Sequence, residues 1–246
     1  MERKHFLKSL LLGAASVPAL LSACSKESVS PTSSTTTTGT SGTGSGGTGT
    51  GSGSCAVAPT ETEGPFPTKV PSSYVRSDIR DGKTGYQMDI TITLSNSNAS
   101  CAALAGAIID IWHCDAEGNY SEYGGTGMQA TNYQSVHFLR GRQVTDANGQ
   151  VKFTSIFPGW YSGRATHIHV HVYSATGTSL KVTQIAFPEG TGTAVAAVNG
   201  YAKGLNGYTS NASDNVFSDG VANELATVTG STTAGFQLAF SMGVPA

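Results

Sequence analysis

Tyr161, Arg164, His167 and His169 fall within nine residues, in the stretch Trp160–Tyr161–Ser162–Gly163–Arg164–Ala165–Thr166–His167–Ile168–His169. The segment offers a phenol, a guanidinium and two alternating imidazoles. In a strand, alternate residues face the same side, and Cα atoms two apart are about 6.5–7 Å from each other. His167 and His169 therefore project together and can reach one metal ion. His171 shares their face, but spanning from His167 to His171 needs nearly twice the distance. It is assigned to a supporting or packing role. A His-x-His pair also occurs on ordinary sheet faces, so the case rests on what stands beside it.

Tyr161 lies in the loop before that strand, after Pro158–Gly159–Trp160. A tyrosine there can equally be a packed ring with a satisfied hydroxyl. Its ordinary pKa is about 10, so a phenolate requires a hard, highly charged ion beside it. Tyr120 is the second phenol. It follows Trp112–His113–Cys114–Asp115–Ala116–Glu117–Gly118–Asn119, a strand end and tight turn that can swing a side chain across the mouth of a sheet. Tyr123 competes for the same role. His113 and Asp115 are alternative ligands, although Asp115 reads better as a turn acceptor and His113 as a strand-end polar residue. Two phenolates and two neutral imidazoles offset two of the three charges of Fe(III), and a hydroxide supplies the third. Arg164 is either a surface arginine lying over apolar area or a pocket residue that holds an anionic substrate oxygen.

The elements that must position these groups read as antiparallel sheet. Tyr86 to Leu94 alternates in period two, Ala107 to Trp112 is more continuously apolar, and Gln150 to Ile156 alternates again. Thr145–Asp146–Ala147–Asn148–Gly149 reads as a hairpin turn, and Pro158–Gly159 stops the strand after it. Thr166 to Tyr173 and Leu180 to Phe187 are two further strands. Thr193 to Tyr201 suits a short helix, Val221 to Thr229 is ambiguous, and Gly235 to Ser241 closes the sheet. The expectation is an all-β chain, an antiparallel β-sandwich.

Residues 1–23 read as a lipoprotein signal peptide. Arg3, Lys4 and Lys8 precede an apolar run too short to span a bilayer, and Leu21–Ser22–Ala23–Cys24 ends in a cysteine ready for lipidation. The expectation is export, with Cys24 anchoring the chain to a membrane at the outer membrane or cell surface. Residues 24–54 hold the anchor and a Ser/Thr/Gly-rich tether that reaches about 30 Å root-mean-square. Residues 55–246 read as one domain, large enough for a real core. The net charge is −2 with no basic cluster, which argues against a nucleic-acid partner. Cys55, Cys101 and Cys114 remain. Cys101 and Cys114 flank one apolar run and can pair, although spacing alone does not fix the connectivity.

The motifs together resemble the intradiol ring-cleavage dioxygenases, in an exported lipoprotein-like branch similar to the β-subunit of protocatechuate 3,4-dioxygenase. The resemblance runs from Thr62–Glu63–Gly64–Pro65–Phe66 to about Phe187, and more weakly through Asn211 to Phe217. It rests on Trp112-x(7)-Tyr120, Tyr161 after a Pro-Gly turn, the pair His167–Ile168–His169, Arg164 three residues earlier and Thr183–Gln184. Leu139–Arg140–Gly141–Arg142 with Thr145 to Gly149 also fits that branch. It implies an Fe(III) centre held by Tyr120, Tyr161, His167 and His169, with Tyr120 the resting equatorial ligand and Tyr161 the axial one that leaves. It implies a catechol-type substrate, O2 and a cis,cis-muconate-type product. Arg164 stabilises ketonised substrate and Gln184 supports it. The segment from Tyr161 to His167 is shorter than in the cytoplasmic enzymes, which implies a more open pocket. No N-terminal helical dimerisation region is evident, so both monomer and homodimer stay open.

Two other readings compete. One is a non-catalytic surface β-sandwich that binds aromatic or cell-wall material. The other is a divalent-metal enzyme built on His167, His169 and His171.

Overall fold

The computed structural model describes residues 55–125 and 127–246. The expected signal peptide, lipidation site at Cys24 and tether lie outside the described residues. Nine strands account for most of the regular structure: β1 (Gln87–Asn96), β2 (Ala102–Ala103), β3 (Ile108–Trp112), β4 (Arg140–Val144), β5 (Gln150–Ile156), β6 (His167–Tyr173), β7 (Ser179–Ala186), β8 (Thr227–Ser231) and β9 (Gly235–Val244). One short helix, α1 (Ala194–Val198), and three single 3₁₀ turns complete the described elements. Among the described residues no helix is long and apolar enough to cross a membrane.

The strands form two sheets, and the all-β sandwich expectation is borne out. In the first, β1 runs antiparallel to β5 and β2 on one side and parallel to β9 on the other, with β8 outside β9. In the second, the order is β4-β3-β6-β7, antiparallel throughout. Period-two alternation sends Met88, Ile90, Ile92 and Leu94 of β1 into the core. Phe236, Leu238, Phe240 and Met242 of β9 join them, facing Ile109, Ile111, Ile168, Val170 and Val172 of the second sheet. Each such side chain contributes about 1.5–3 kcal/mol by leaving water. Because even-numbered residues of β6 fill the core, His167, His169 and His171 lie on the opposite face of that sheet.

Most of the expected elements are present with ends shifted by one to three residues. Thr193 to Tyr201 holds α1, capped at Thr193, whose hydroxyl accepts the Ala196 N–H, and then a 3₁₀ turn. Two expectations are corrected. Thr145 to Gly149 does turn, with Gly149 N–H donating to the Asp146 carbonyl at 2.9 Å, but it is not a hairpin. It passes the chain from β4 in one sheet to β5 in the other. Cys101 pairs with Cys55, not Cys114, across a Cα–Cα distance of 5.5 Å. The bridge ties the segment before β1 to the β1–β2 turn, while Cys114 is a buried free thiol.

Candidate metal centre

One rung of the second sheet carries the site. Arg140, Trp112, His169 and Gln184 stand opposite one another on β4, β3, β6 and β7. The His169 ring lies flat on Trp112, centroids 4.8 Å apart and planes 1° from parallel. Gly64 packs close to the ring: a Cβ there would stand 3.1 Å from His169 Cε1. His169 Nδ1 has no hydrogen-bond partner among the described residues, so packing orients this imidazole. His167 is fixed differently, through its Nδ1–H donating to the Ala165 carbonyl at 2.6 Å. That bond leaves the Nε2 lone pair free for a ligand role.

Tyr120 reaches these histidines because the chain folds back after β3. Asp115 Oδ1 accepts the N–H groups of Glu117 and Asn119 at 3.1 and 2.9 Å. Gly118 takes φ +90° and passes so close to the Trp160 carbonyl that a Cβ would sit 2.2 Å from it. Only glycine fits there. Gln129 then clamps the Tyr120 backbone, its Oε1 accepting the Tyr120 N–H at 2.6 Å and its Nε2 donating to the Tyr120 carbonyl at 2.8 Å. The Tyr120 ring stacks on Phe66, centroids 4.7 Å apart.

The outcome is a triangle of donor atoms. Tyr120 Oη lies 3.2 Å from His167 Nε2 and 3.3 Å from His169 Nε2, and the two Nε2 atoms are 3.1 Å apart. Spacings near 3 Å suit neighbouring ligands of one ion with bonds of about 2.1 Å. Tyr161 joins from the side, its ring 5.7 Å from those of both Tyr120 and His167. Its buried hydroxyl has no hydrogen-bond partner among the described residues. Burial, reinforced by the Arg164 charge, pushes the His167 pKa down to about 3. Burial and the neighbouring His167 push His169 well below its ordinary value. Both imidazoles are therefore neutral at pH 7. Burial raises both phenols, Tyr120 strongly. The set is two neutral nitrogens and two phenols that only a strong Lewis acid would ionise, which fits a ferric ion.

Arg164 is buried, contrary to its surface reading. Its Nε donates to both carboxylate oxygens of Asp214 at 2.9 and 2.8 Å. Its NH2 group bonds Gln184 Oε1, and Gln184 Nε2 donates to the Thr62 carbonyl at 2.9 Å. The structure thus brings together Tyr120, Tyr161, Arg164, His167, His169 and Gln184. A cleft of about 430 Å³ opens beside them, lined by Gly64, Pro65, Met128, Tyr161, Arg164 and Val216 among others.

The remaining candidates point elsewhere. His171 Nδ1 pairs with Glu63 at 2.8 Å and its Nε2 meets Ser179 Oγ at 2.8 Å. Tyr123 donates its hydroxyl to the Pro67 carbonyl at 2.7 Å. His113 meets Ser155 Oγ at 2.7 Å, and Asp115 pairs with Lys83 while serving the turn. Asp214 and Gln129 were not singled out by sequence. Asp214 lies in the Asn211–Phe217 stretch that carries part of the resemblance, which was its one available signal.

Residues 68–215 match the family described as "Dioxygenase". The chain belongs to the dioxygenase family. Among curated relatives, this dioxygenase is 28% identical over 128 residues to chlorocatechol 1,2-dioxygenase of Rhodococcus opacus, a match covering 44% of this chain and 46% of that one. It is 30% identical over 131 residues to catechol 1,2-dioxygenase of Acinetobacter baylyi, covering 46% of this chain and 39% of the relative. The matches thus span less than half the length of those two relatives. Among solved structures, an intradiol ring-cleavage dioxygenase from Tetranychus urticae superposes with a TM-score of 0.68 at 27% identity, covering 78% of this chain and 96% of that one. The dioxygenase domain of a carbohydrate-binding fusion from Streptomyces sp. SirexAA-E shares the fold, with a TM-score of 0.54 at 22% identity, covering 76% of this chain and 97% of that one.

Proposed function

We propose that this dioxygenase holds Fe(III) through Tyr120, Tyr161, His167 and His169 and cleaves a catechol-type ring between its two hydroxyls, consuming O2 and releasing a cis,cis-muconate-type dicarboxylate. The observation that carries the reading is the donor triangle of Tyr120 Oη, His167 Nε2 and His169 Nε2, with sides of 3.1–3.3 Å and both imidazoles neutral. When bound, Fe(III) supplies Lewis acidity toward a chelating catecholate and draws electron density from its ring.

The chain's own residues do the rest. Tyr161 Oη is buried and without a hydrogen-bond partner among the described residues, so its oxygen would be available to hold the ion and, once released, to accept a proton. Tyr161 would thus serve as the base that accepts one of the substrate's hydroxyl protons. Arg164 is held by Asp214 and Gln184, with NH1 3.5 Å from His167 Nε2. Its fixed positive charge stabilises the oxyanion that develops as the substrate ketonises. Pro65, Met128 and Val216 offer apolar walls to the ring. The rival built on three histidines is disfavoured because His171 is engaged by Glu63 and Ser179.

The test is iron loading under air. A visible tyrosinate-to-iron charge-transfer band should form, and Tyr120→Phe and Tyr161→Phe should each weaken or shift it. Oxygen uptake with a panel of catechols should yield products opened between the hydroxyls. A colourless loaded protein, or products opened beside the hydroxyls, overturns the reading.

We also propose export and lipidation at Cys24. The Leu21–Ser22–Ala23–Cys24 sequence supports it, and the Cys55–Cys101 bridge suits an oxidising compartment. Cys24→Ser should abolish lipid labelling and release the protein from the membrane fraction.

A further inference from the structure

Three carboxylates meet away from the tyrosine–histidine centre. Glu61 belongs to the amino-terminal segment that runs beside β7, where its N–H donates to the Val182 carbonyl at 2.9 Å. Asp219 follows the 3₁₀ turn at Asn211–Ser213 by one loop. Glu224 stands where the chain rejoins β7, its carbonyl accepting the Ala186 N–H at 2.9 Å. One oxygen from each lies within 4.8 Å of the others.

A second observation separates this group from an ordinary acidic patch. Glu224 is 0% exposed. Its Oε1 accepts a long hydrogen bond from Thr183 Oγ1 at 3.3 Å, the Gln184 backbone N–H also acts on the carboxylate, and its Oε2 is buried with no partner among the described residues. A buried carboxylate is normally paired with a cation or fully hydrogen-bonded, because removing its charge from water costs several kcal/mol. None of the ion pairs among the described residues involves Glu61, Asp219 or Glu224. Arg164 acts on Glu61 only through space, since its guanidinium is committed to Asp214. Burial, with repulsion from Glu61, pushes the Glu224 pKa up to about 8.

We propose that Glu61, Asp219 and Glu224 form a binding site for a hard divalent cation of the calcium class, separate from the tyrosine–histidine centre. All-carboxylate sets favour calcium, magnesium or manganese over softer ions. Calcium binds oxygen at about 2.3–2.6 Å, so three oxygens that all lie within 4.8 Å of one another are close enough to share one ion. The bound ion would tie the segment carrying Thr62 to the loop that follows Asp214, and residues of both line the cleft.

Equilibrium dialysis of the full-length, iron-loaded protein with radiolabelled calcium chloride tests the site. The expected result is saturable binding of one calcium per chain and a calcium-dependent rise in melting temperature. Asp219→Asn, exposed and so harmless to folding, should weaken binding at least tenfold while leaving iron content and the visible spectrum unchanged. Glu61→Gln should weaken it in the same way. Absence of saturable binding up to about 10 mM, an order of magnitude above the weakest calcium modules, would overturn the proposal, leaving Glu224 simply protonated. Undiminished binding in both variants would overturn it equally. Because the readout is calcium rather than colour or turnover, failure here leaves the iron reading standing, and the reverse also holds.

Discussion

Asp214 grips Arg164 with both carboxylate oxygens, 50 residues apart in sequence, and the pair is buried. The same carboxylate accepts the Ala165 N–H at 2.7 Å and the Val216 N–H at 2.9 Å. It therefore fixes the guanidinium, the lead-in to β6 and one wall of the cleft at once. Asp214→Asn keeps the shape but removes the charge. Breaking a buried pair costs about 3–5 kcal/mol, and misplacing a positioned group by about 1 Å can cost about 10²-fold in rate. The variant should melt at lower temperature and turn over catechols about 10²-fold more slowly, while its iron band persists. Wild-type kcat/KM in Asp214→Asn would remove Arg164 positioning from the account.

Gln129 supports Tyr120 in a comparable way. Its amide satisfies both backbone groups of Tyr120 and also donates to the carbonyls of Tyr123 and Thr131 at 3.0 and 3.1 Å. Gln129→Ala leaves buried backbone groups unpaired, at about 1–3 kcal/mol each. Iron retention during dialysis against a chelator measures the consequence. The variant should lose iron faster than wild type, and its charge-transfer band should broaden. Identical retention would show that the Phe66 stack alone holds Tyr120.

The difference between what was and was not readable in sequence follows from range. The β6 strand was legible because histidines and β-branched residues alternate in period two, which places His167 and His169 on one face without any knowledge of the fold. Tyr120 was reachable because its turn is local: Asp115 and Gly118 lie within five residues of it. β4 was hidden, since Arg140 and Arg142 with a glycine between them look like loop. In fact Arg140 is 1% exposed, bonded to Ser121, Phe66 and Thr68, and Arg142 pairs with Asp110 across to β3. Gly141 admits β4 against Ile79, where a Cβ would approach to 2.4 Å. Asp214 and the Cys55–Cys101 bridge depend on partners 50 and 46 residues away, and no local pattern encodes such distances. The Thr145–Gly149 turn misled for the same reason. Its chemistry is local, but which strands it joins is decided by the sheets.

The Cys55–Cys101 bridge closes a loop of 46 residues around β1. Loop-closure entropy alone assigns such a bridge about 4 kcal/mol. Urea unfolding of Cys55→Ala/Cys101→Ala should show a midpoint lowered accordingly, and reductant should lower wild type to the same point. Cys114 should resist alkylation in the folded protein, because its thiol is buried and burial pushes its pKa up. A reductant-insensitive midpoint would mean that the segment before β1 is held by its backbone contacts instead, such as Gly243 N–H to the Ala56 carbonyl at 2.7 Å.

Glu224 makes stability depend on pH in an unusual direction. Most carboxylates in folded proteins are stabilised as anions, so acid weakens the fold. Here burial and the facing Glu61 hold the Glu224 pKa near 8, above its ordinary 4.5. Glu61 is shifted upward as well, by burial and by Asp219. Between about pH 4.5 and 8 the Glu224 carboxyl binds more protons in the folded chain than in the unfolded chain. Stability contributed by this group is complete below 4.5 and is lost as pH rises through 8. With divalent cations chelated, the melting temperature should fall across that window relative to Glu224→Gln, in which the side chain cannot ionise. The comparison isolates Glu224 from the histidines of the metal centre, whose shifts carry the opposite sign. Parallel pH profiles for wild type and Glu224→Gln would place the buried carboxylate in contact with water, and its neutral form would then have no part in holding the loop against β7.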